Sequence, residues 1–165
     1  MARKVFFSFH YQPDCVRASQ VRNIGVVEGN PSATDNDWET VARGGDPAIQ
    51  RWLDNQLSGR TCTIVLIGKD TAGRKWINYE IEKSWNGNKG VLGIYIHNLK
   101  NFSGAQTTMG SNPFSGFNLK NGTVALSSVV KAYNPPFSDS KDVYKYISDN
   151  LESWIEEAIR IRNQN

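Results

Sequence analysis

Cysteine is scarce in this chain, and that scarcity excludes two classes of protein. Cys15 and Cys62 are the only two in 165 residues, too few for a disulfide framework or a structural zinc site. Both fall in or beside core-like segments, so two buried free thiols are expected. Histidine is as sparse: His10 and His97 stand alone, belong to no cysteine–histidine cluster, and predict no metal site. No apolar run reaches the roughly 18 residues of a membrane span. The start, Met1-Ala2-Arg3-Lys4, leads straight into a strand-like run with no secretion-signal core. The expectation is a soluble, cytoplasmic protein without a membrane partner. A dominant charge is missing too. Nineteen basic and 16 acidic residues leave a net charge of +3. No basic run of five and no aromatic–basic interleave occurs, so nucleic acid is not an expected partner. The mild positive balance suits a small phosphate-bearing ligand.

Several motifs are absent as well. Neither G-x-G-x-x-G nor G-x-x-x-x-G-K-[ST] occurs, nor H-E-x-x-H, nor G-x-S-x-G. A phosphoacceptor receiver would need an acidic pair after its first strand, where this chain has Ser8-Phe9-His10.

What is present alternates. Lys4–His10 is a nearly continuous apolar run, as in a strand buried on both faces. Pro13-Asp14 reads as a stop and an N-cap for a first helix ending near Asn23-Ile24-Gly25. Val26-Val27 is a short second strand. Asp46-Pro47 reads as an N-cap followed by proline at the first helical position, with Ile49, Trp52, Leu53 and Leu57 at helical spacing and Gly59 at the close. Arg60–Ile67 and Val91–Ile96 are buried-type strands, separated by a helix that ends at Gly87. A long aperiodic loop covers about 98–122. Residues 123–133 fit strand and helix equally. An amphipathic helix spans about 141–163, with Tyr144, Ile147, Leu151, Trp154, Ile155, Ala158 and Ile159 as its core face.

Unalternating strands interleaved with helices predict an α/β fold: one domain over 1–165, a doubly wound, mostly parallel sheet with helices on both faces. Ligands bind such sheets outside the carboxyl ends of the strands. Those ends carry Ser8, Phe9 and His10; Gly68, Lys69 and Asp70; His97 and Asn98.

Glu80 stands out on the helix after the third strand. At about 100° per residue, Trp76, Ile77, Ile81 and Trp85 cover roughly half the circumference. Glu80 and Ser84 fall inside that arc, whereas Glu82 falls opposite with Asn78. An inward carboxylate is costly unless partnered. Two explanations stand: a structural ion pair with a nearby Lys or Arg, or a functional site.

The first strand, Val5-Phe6-Phe7-Ser8-Phe9-His10, and the spacing of Trp76 and Glu80 in Trp76-Ile77-Asn78-Tyr79-Glu80-Ile81 together resemble the TIR family. Tyr79-Glu80-Ile81, Lys83-Ser84 and Asn112-Pro113-Phe114 add a narrower resemblance, over about residues 4–114, to the TIR-like proteins of bacterial Thoeris anti-phage defence. The resemblance implies a TIR/flavodoxin-like fold and cleavage of the nicotinamide–ribose bond of NAD, with Glu80 as the catalytic carboxylate. NAD enters as substrate and no cofactor is implied. Hydrolysis, cyclisation and transfer of the ADP-ribosyl group all occur among such enzymes; an ADP-ribose-derived product, with the cyclic form expected, would activate a separate effector as a diffusible nucleotide signal. Self-assembly or a phage-derived trigger is implied as a condition for activity. Ser8, Phe9, His10 and Trp76 are the implied substrate contacts, with core packing the alternative for Phe9 and Trp76 and a rim position without ligand contact the alternative for His10. Asp37 and Trp38, beside Asp35, match the family's loop over the pocket. Arg43 or Lys69 is the implied pyrophosphate contact, with solvated charge the alternative. Two other functions compete: a non-enzymatic TIR interaction module, which would not need the glutamate, and a deoxyribosyltransferase-like enzyme acting on nucleosides.

Overall fold

A computed structural model of the chain describes residues 3–30, 41–119 and 122–165. In order, the elements are β1 (Arg3–Ser8), α1 (Tyr11–Arg22), β2 (Val27–Glu28), α2 (Gly45–Leu57), β3 (Cys62–Ile67), α3 (Lys75–Asn86), β4 (Gly90–Tyr95), β5 (Asn118–Leu119), β6 (Val124–Ala125), a 3-10 turn (Leu126–Ser128), β7 (Ala132–Tyr133) and α4 (Ser140–Asn163). Five strands form one sheet in the order β2-β1-β3-β4-β7, every pair parallel. β5 and β6 form a separate antiparallel ribbon.

Residue parity divides the sheet into two faces. Val5, Phe7, Cys62, Ile64, Leu66, Leu92 and Ile94 pack under α1 and α4. Phe6 on the other face meets α2 through Ile49, Leu53 and Leu57. Val65, Ile67, Val91 and Tyr95 meet α3 through Ile77, Ile81 and Trp85. Helices therefore cover both faces, which is why β3 and β4 are buried at every position. Cys62 is buried as expected, but Cys15 is half-exposed, because it lies on the flank of α1 away from the sheet.

Two helix starts differ from the sequence reading in the same way. α1 begins at Tyr11, with Pro13 as its third residue, and α2 begins at Gly45, with Pro47 third. The first-turn N–H groups of a helix have no internal partner, so proline loses nothing at either position. Asp14 is consequently no N-cap. It lies inside α1, 2% exposed, with Arg17 Nη1 at 3.5 Å. α4 starts as expected: the Asp139 carboxylate accepts from the N–H groups of Lys141 at 2.8 Å and Asp142 at 3.4 Å. Asp139→Ala should cost about 1 kcal/mol of stability in a denaturant melt.

The 123–133 segment, which suited strand and helix equally, is built from pieces: β6, the 3-10 turn and β7 in succession. The Asn112-Pro113-Phe114 motif anchors the long loop. Asn112 Oδ1 accepts from Phe114 N at 2.8 Å, and the buried Phe114 ring lies on Gly93 of β4. A Cβ at Gly93 would come within 2.9 Å of that ring.

Candidate active site

β1 has β2 on one side and β3 on the other, so the strand order reverses direction at its carboxyl end. A crevice forms at such a point, since the connections leave toward opposite edges. A cavity of about 870 Å³ occupies it, lined from one side by Phe9, His10, Tyr11 and Gln12 and from the other by Asp70 and residues 72–77. Its volume lies in the ordinary range for ligand sites. Phe6, Phe7 and Leu53 form its apolar floor, and Arg22, Asn30, Trp52 and Glu80 also line it.

Glu80 reaches this cavity because of helical register. It is 8% exposed and Ser84 is fully buried, one turn apart on the inner face of α3. Opposite them the sheet presents two hydroxyls, Ser8 on β1 and Thr63 on β3. Ser8 Oγ donates to Glu80 Oε2. Thr63 Oγ1 and Ser84 Oγ share a hydrogen bond of 2.7 Å, and Ser84 Oγ donates to the Glu80 carbonyl at 2.6 Å. Polar residues four apart on the helix thus meet polar residues on the sheet. Among the described residues no lysine or arginine forms an ion pair with Glu80. The structural ion pair entertained from the sequence is not found there. Burial pushes the Glu80 carboxyl up to about 8, against the hydrogen bond from Ser8, which favours the ionised form. Glu82 is exposed, as its place on the helix requires.

The other expected contacts divide. Phe9, His10 and Trp76 line the cavity with Glu80. Trp76 is half-buried: it lies edge-to-face with Tyr79 at 5.6 Å and also packs on the Phe6–Leu53 cluster. Trp76 thus packs on the core with one part of its ring system and lines the cavity with another. Ser8 stands behind Glu80, 1% exposed and not among the lining residues. Asp35, Asp37 and Trp38 lie outside the described residues. Arg43 and Lys69 are not on the wall; the cations that line it are Arg22, Arg74 and Lys75. Arg22 sits at the far end of α1, where it donates to the Asn30 carbonyl at 2.5 Å and lies 5.7 Å and 5.9 Å from the Phe7 and Phe9 rings. Lys75 is ion-paired with Asp46 and covers the Trp76 ring at 5.0 Å. Burial first, and then the charge of Arg74, lower the His10 imidazole below its usual value, which favours the neutral ring.

The sequence pointed to Asp70 as a strand-end residue, and it belongs to the wall. Arg74 carried a signal in its position two residues before Trp76 of the Trp76–Glu80 motif. Arg22 and Trp52 carried none, because they arrive from the far end of α1 and the middle of α2. Among the described residues, no group of three or more His, Cys, Asp or Glu is placed to hold a metal, and no helix is long and apolar enough to cross a membrane.

Comparison with known proteins adds two findings. Residues 6–101 match the family model of the Thoeris protein ThsB, TIR-like domain. A Bacillus cereus (strain MSX-D12) protein named "Putative cyclic ADP-D-ribose synthase ThsB1" is 39% identical over 120 residues, covering 69% of this chain and 62% of that protein. The chain thus spans less than two thirds of the length of the curated relative it matches.

Proposed function

The chain belongs to the ThsB TIR-like domain family, and we propose that it cleaves the nicotinamide–ribose bond of NAD with Glu80 as the catalytic carboxylate. One observation carries the proposal. A buried carboxylate on the cavity wall has a hydroxyl partner and, among the described residues, no cationic one. The nicotinamide ring of NAD brings the missing positive charge.

Glycosidic cleavage passes through an oxocarbenium-like state on the ribose. The C1′–N bond breaks and its electron pair goes to the ring nitrogen, so a cationic pyridinium leaves as neutral nicotinamide. No proton donor is needed for that departure. A single carboxylate suffices to stabilise the positive charge growing at C1′ and to hold the ribose hydroxyls. Phe9 and Trp76 offer apolar and aromatic surface for the rings. Neutral His10 can accept or donate a hydrogen bond without opposing the substrate's cationic ring.

The anomeric carbon then accepts a nucleophile. Water would give ADP-ribose. An atom of the same molecule's adenosine half would give a cyclic product, and the name of the Bacillus cereus relative favours this second outcome. A nucleotide of that kind would act on a separate effector protein in anti-phage defence.

Arg74 is the wall cation best suited to the diphosphate, since Lys75 is engaged by Asp46 and Arg22 by Asn30. Arg74→Ala should raise KM for NAD about 10-fold with kcat nearly unchanged, the pattern of lost ground-state binding. Steady-state kinetics of nicotinamide release checks this, and the enzymatic reading fails if the purified or phage-triggered protein leaves NAD intact.

A further inference from the structure

Ser8 sits at the carboxyl end of the central strand β1, in register with Val65 of β3. It is 1% exposed and does not line the cavity, so it is out of reach of a ligand held there. Its hydroxyl donates to Glu80 Oε2, while Glu80 itself belongs to the cavity wall. We propose that Ser8 is a positioning residue for Glu80, orienting its carboxylate and selecting the ionised form, and does not bind substrate. The inference rests on the reading of Glu80 as the catalytic group.

Two features make Ser8 effective in this role. The first is rigidity. Ser8 is held in the backbone ladder with β3, whereas a glutamate side chain has three rotatable bonds. The Thr63–Ser84 hydrogen bond fixes α3 against the same face of the sheet one helical turn further on. The helix backbone and the tip of the carboxylate are thereby tied separately to β3 and β1. The second is electrostatic. Burial opposes ionisation of Glu80, and the hydroxyl of Ser8 counters it by hydrogen-bonding the charged form. An ionised carboxylate is acceptor-only, so the donor it finds is a structural requirement of the charged state. Before substrate arrives, no described cation supplies the same support.

The test compares wild type with Ser8→Ala, Ser8→Cys and Ser8→Thr in the full chain. Ser8→Ala should lower kcat for NAD about 10- to 100-fold, as expected for losing a hydrogen bond to a charged group, with KM changed by less than about 3-fold. The acid-side limb of the kcat/KM pH profile, which reports the free enzyme, should move upward by about one pH unit. Ser8→Thr restores a hydroxyl and should recover most of the activity. Ser8→Cys keeps the volume with a weaker donor and should fall between. A carbon-13 titration of the Glu80 carboxyl by NMR needs no turnover and should show the same upward movement in Ser8→Ala. An unmoved Glu80 titration overturns the inference. So does a raised KM with unchanged kcat, which would make Ser8 a ligand contact. Retained turnover in Glu80→Gln is a different failure: it removes the catalytic reading, while the NMR titration still judges the Ser8–Glu80 link.

Discussion

Glu80→Gln is expected to lower NAD turnover by about 1,000-fold while leaving the fold intact. The substitution keeps the size, the hydrogen bond to Ser8 and the place on α3, and removes only the negative charge that the carboxylate takes on beside a cationic ring. If that charge stabilises the oxocarbenium-like state, its loss belongs with the largest single electrostatic effects in enzymes, about 100- to 1,000-fold for one well-placed group. A full charge in a buried site stands at the upper end. Because the charge acts in the transition state, the loss should appear in kcat and in kcat/KM alike. Nicotinamide release measured over a range of NAD concentrations decides it. A variant within 10-fold of wild type would return Glu80 to the structural carboxylates and favour a TIR module that works by association.

The second large effect concerns stability and runs the opposite way. Glu80→Gln should melt higher than wild type, by an amount that depends on pH. In the folded chain the Glu80 carboxyl is raised from an ordinary value of 4.5 to about 8. Below about pH 4.5 it is protonated in both folded and unfolded states and contributes no difference. Between those values the folded state holds a proton that the unfolded state releases, so stability falls as pH rises. Above about pH 8 the buried carboxylate is ionised and its full cost is present. Each pH unit across that window corresponds to about 1.4 kcal/mol. Allowing for local relaxation around a charged group, a total of about 3 kcal/mol is a fair expectation, which for a chain of this size is a gap of about 5–10 °C. Glutamine carries no such cost. Thermal melts of both proteins from pH 4 to 9 should coincide at the acid end, diverge through neutrality and run parallel above pH 8. Superimposed curves throughout would mean that the carboxylate has a counter-charge. NAD should narrow the gap, because its cationic ring favours the ionised wild-type side chain.

These two results share one cause. A carboxylate left without a cation in a buried wall destabilises the chain and is available to a cationic substrate. Strained or uncompensated groups of this kind concentrate at functional sites.

Glu80 was legible in the sequence because helical periodicity alone places it on the apolar arc, and the structure puts it there with Ser84. β3, β4 and α4 were legible for the same reason: long, strongly patterned segments bury one face or both. The helix starts at Tyr11 and Gly45 were not. Proline is accommodated at any position of the first helical turn, where the N–H groups have no internal partner, so its presence marks that turn without fixing the boundary. Residues 123–133 were illegible because β6, the 3-10 turn and β7 are two or three residues each, shorter than either period can register. For the site, the strand-end rule led to Phe9, His10 and Asp70, which stand at the carboxyl ends of β1 and β3. It could not lead to Arg22 or Trp52, whose presence on the wall depends on how α1 and α2 pack, or to Asn30, which follows the short edge strand β2. Nor could it separate a residue on the wall from one behind it. Ser8 and Phe9 are adjacent in sequence, but strand alternation sends Ser8 under α3 and leaves Phe9 beside the cavity.

The most direct test of NAD cleavage through Glu80 follows the nucleotides themselves. Bacteria expressing the wild-type chain or Glu80→Gln are challenged with phage, and their small molecules are compared by mass spectrometry. NAD loss with a new ADP-ribose-derived nucleotide, cyclic in form and present only with the wild type, is the predicted result. Intact NAD and no new nucleotide across several phages, or the same nucleotide from both proteins, would contradict it.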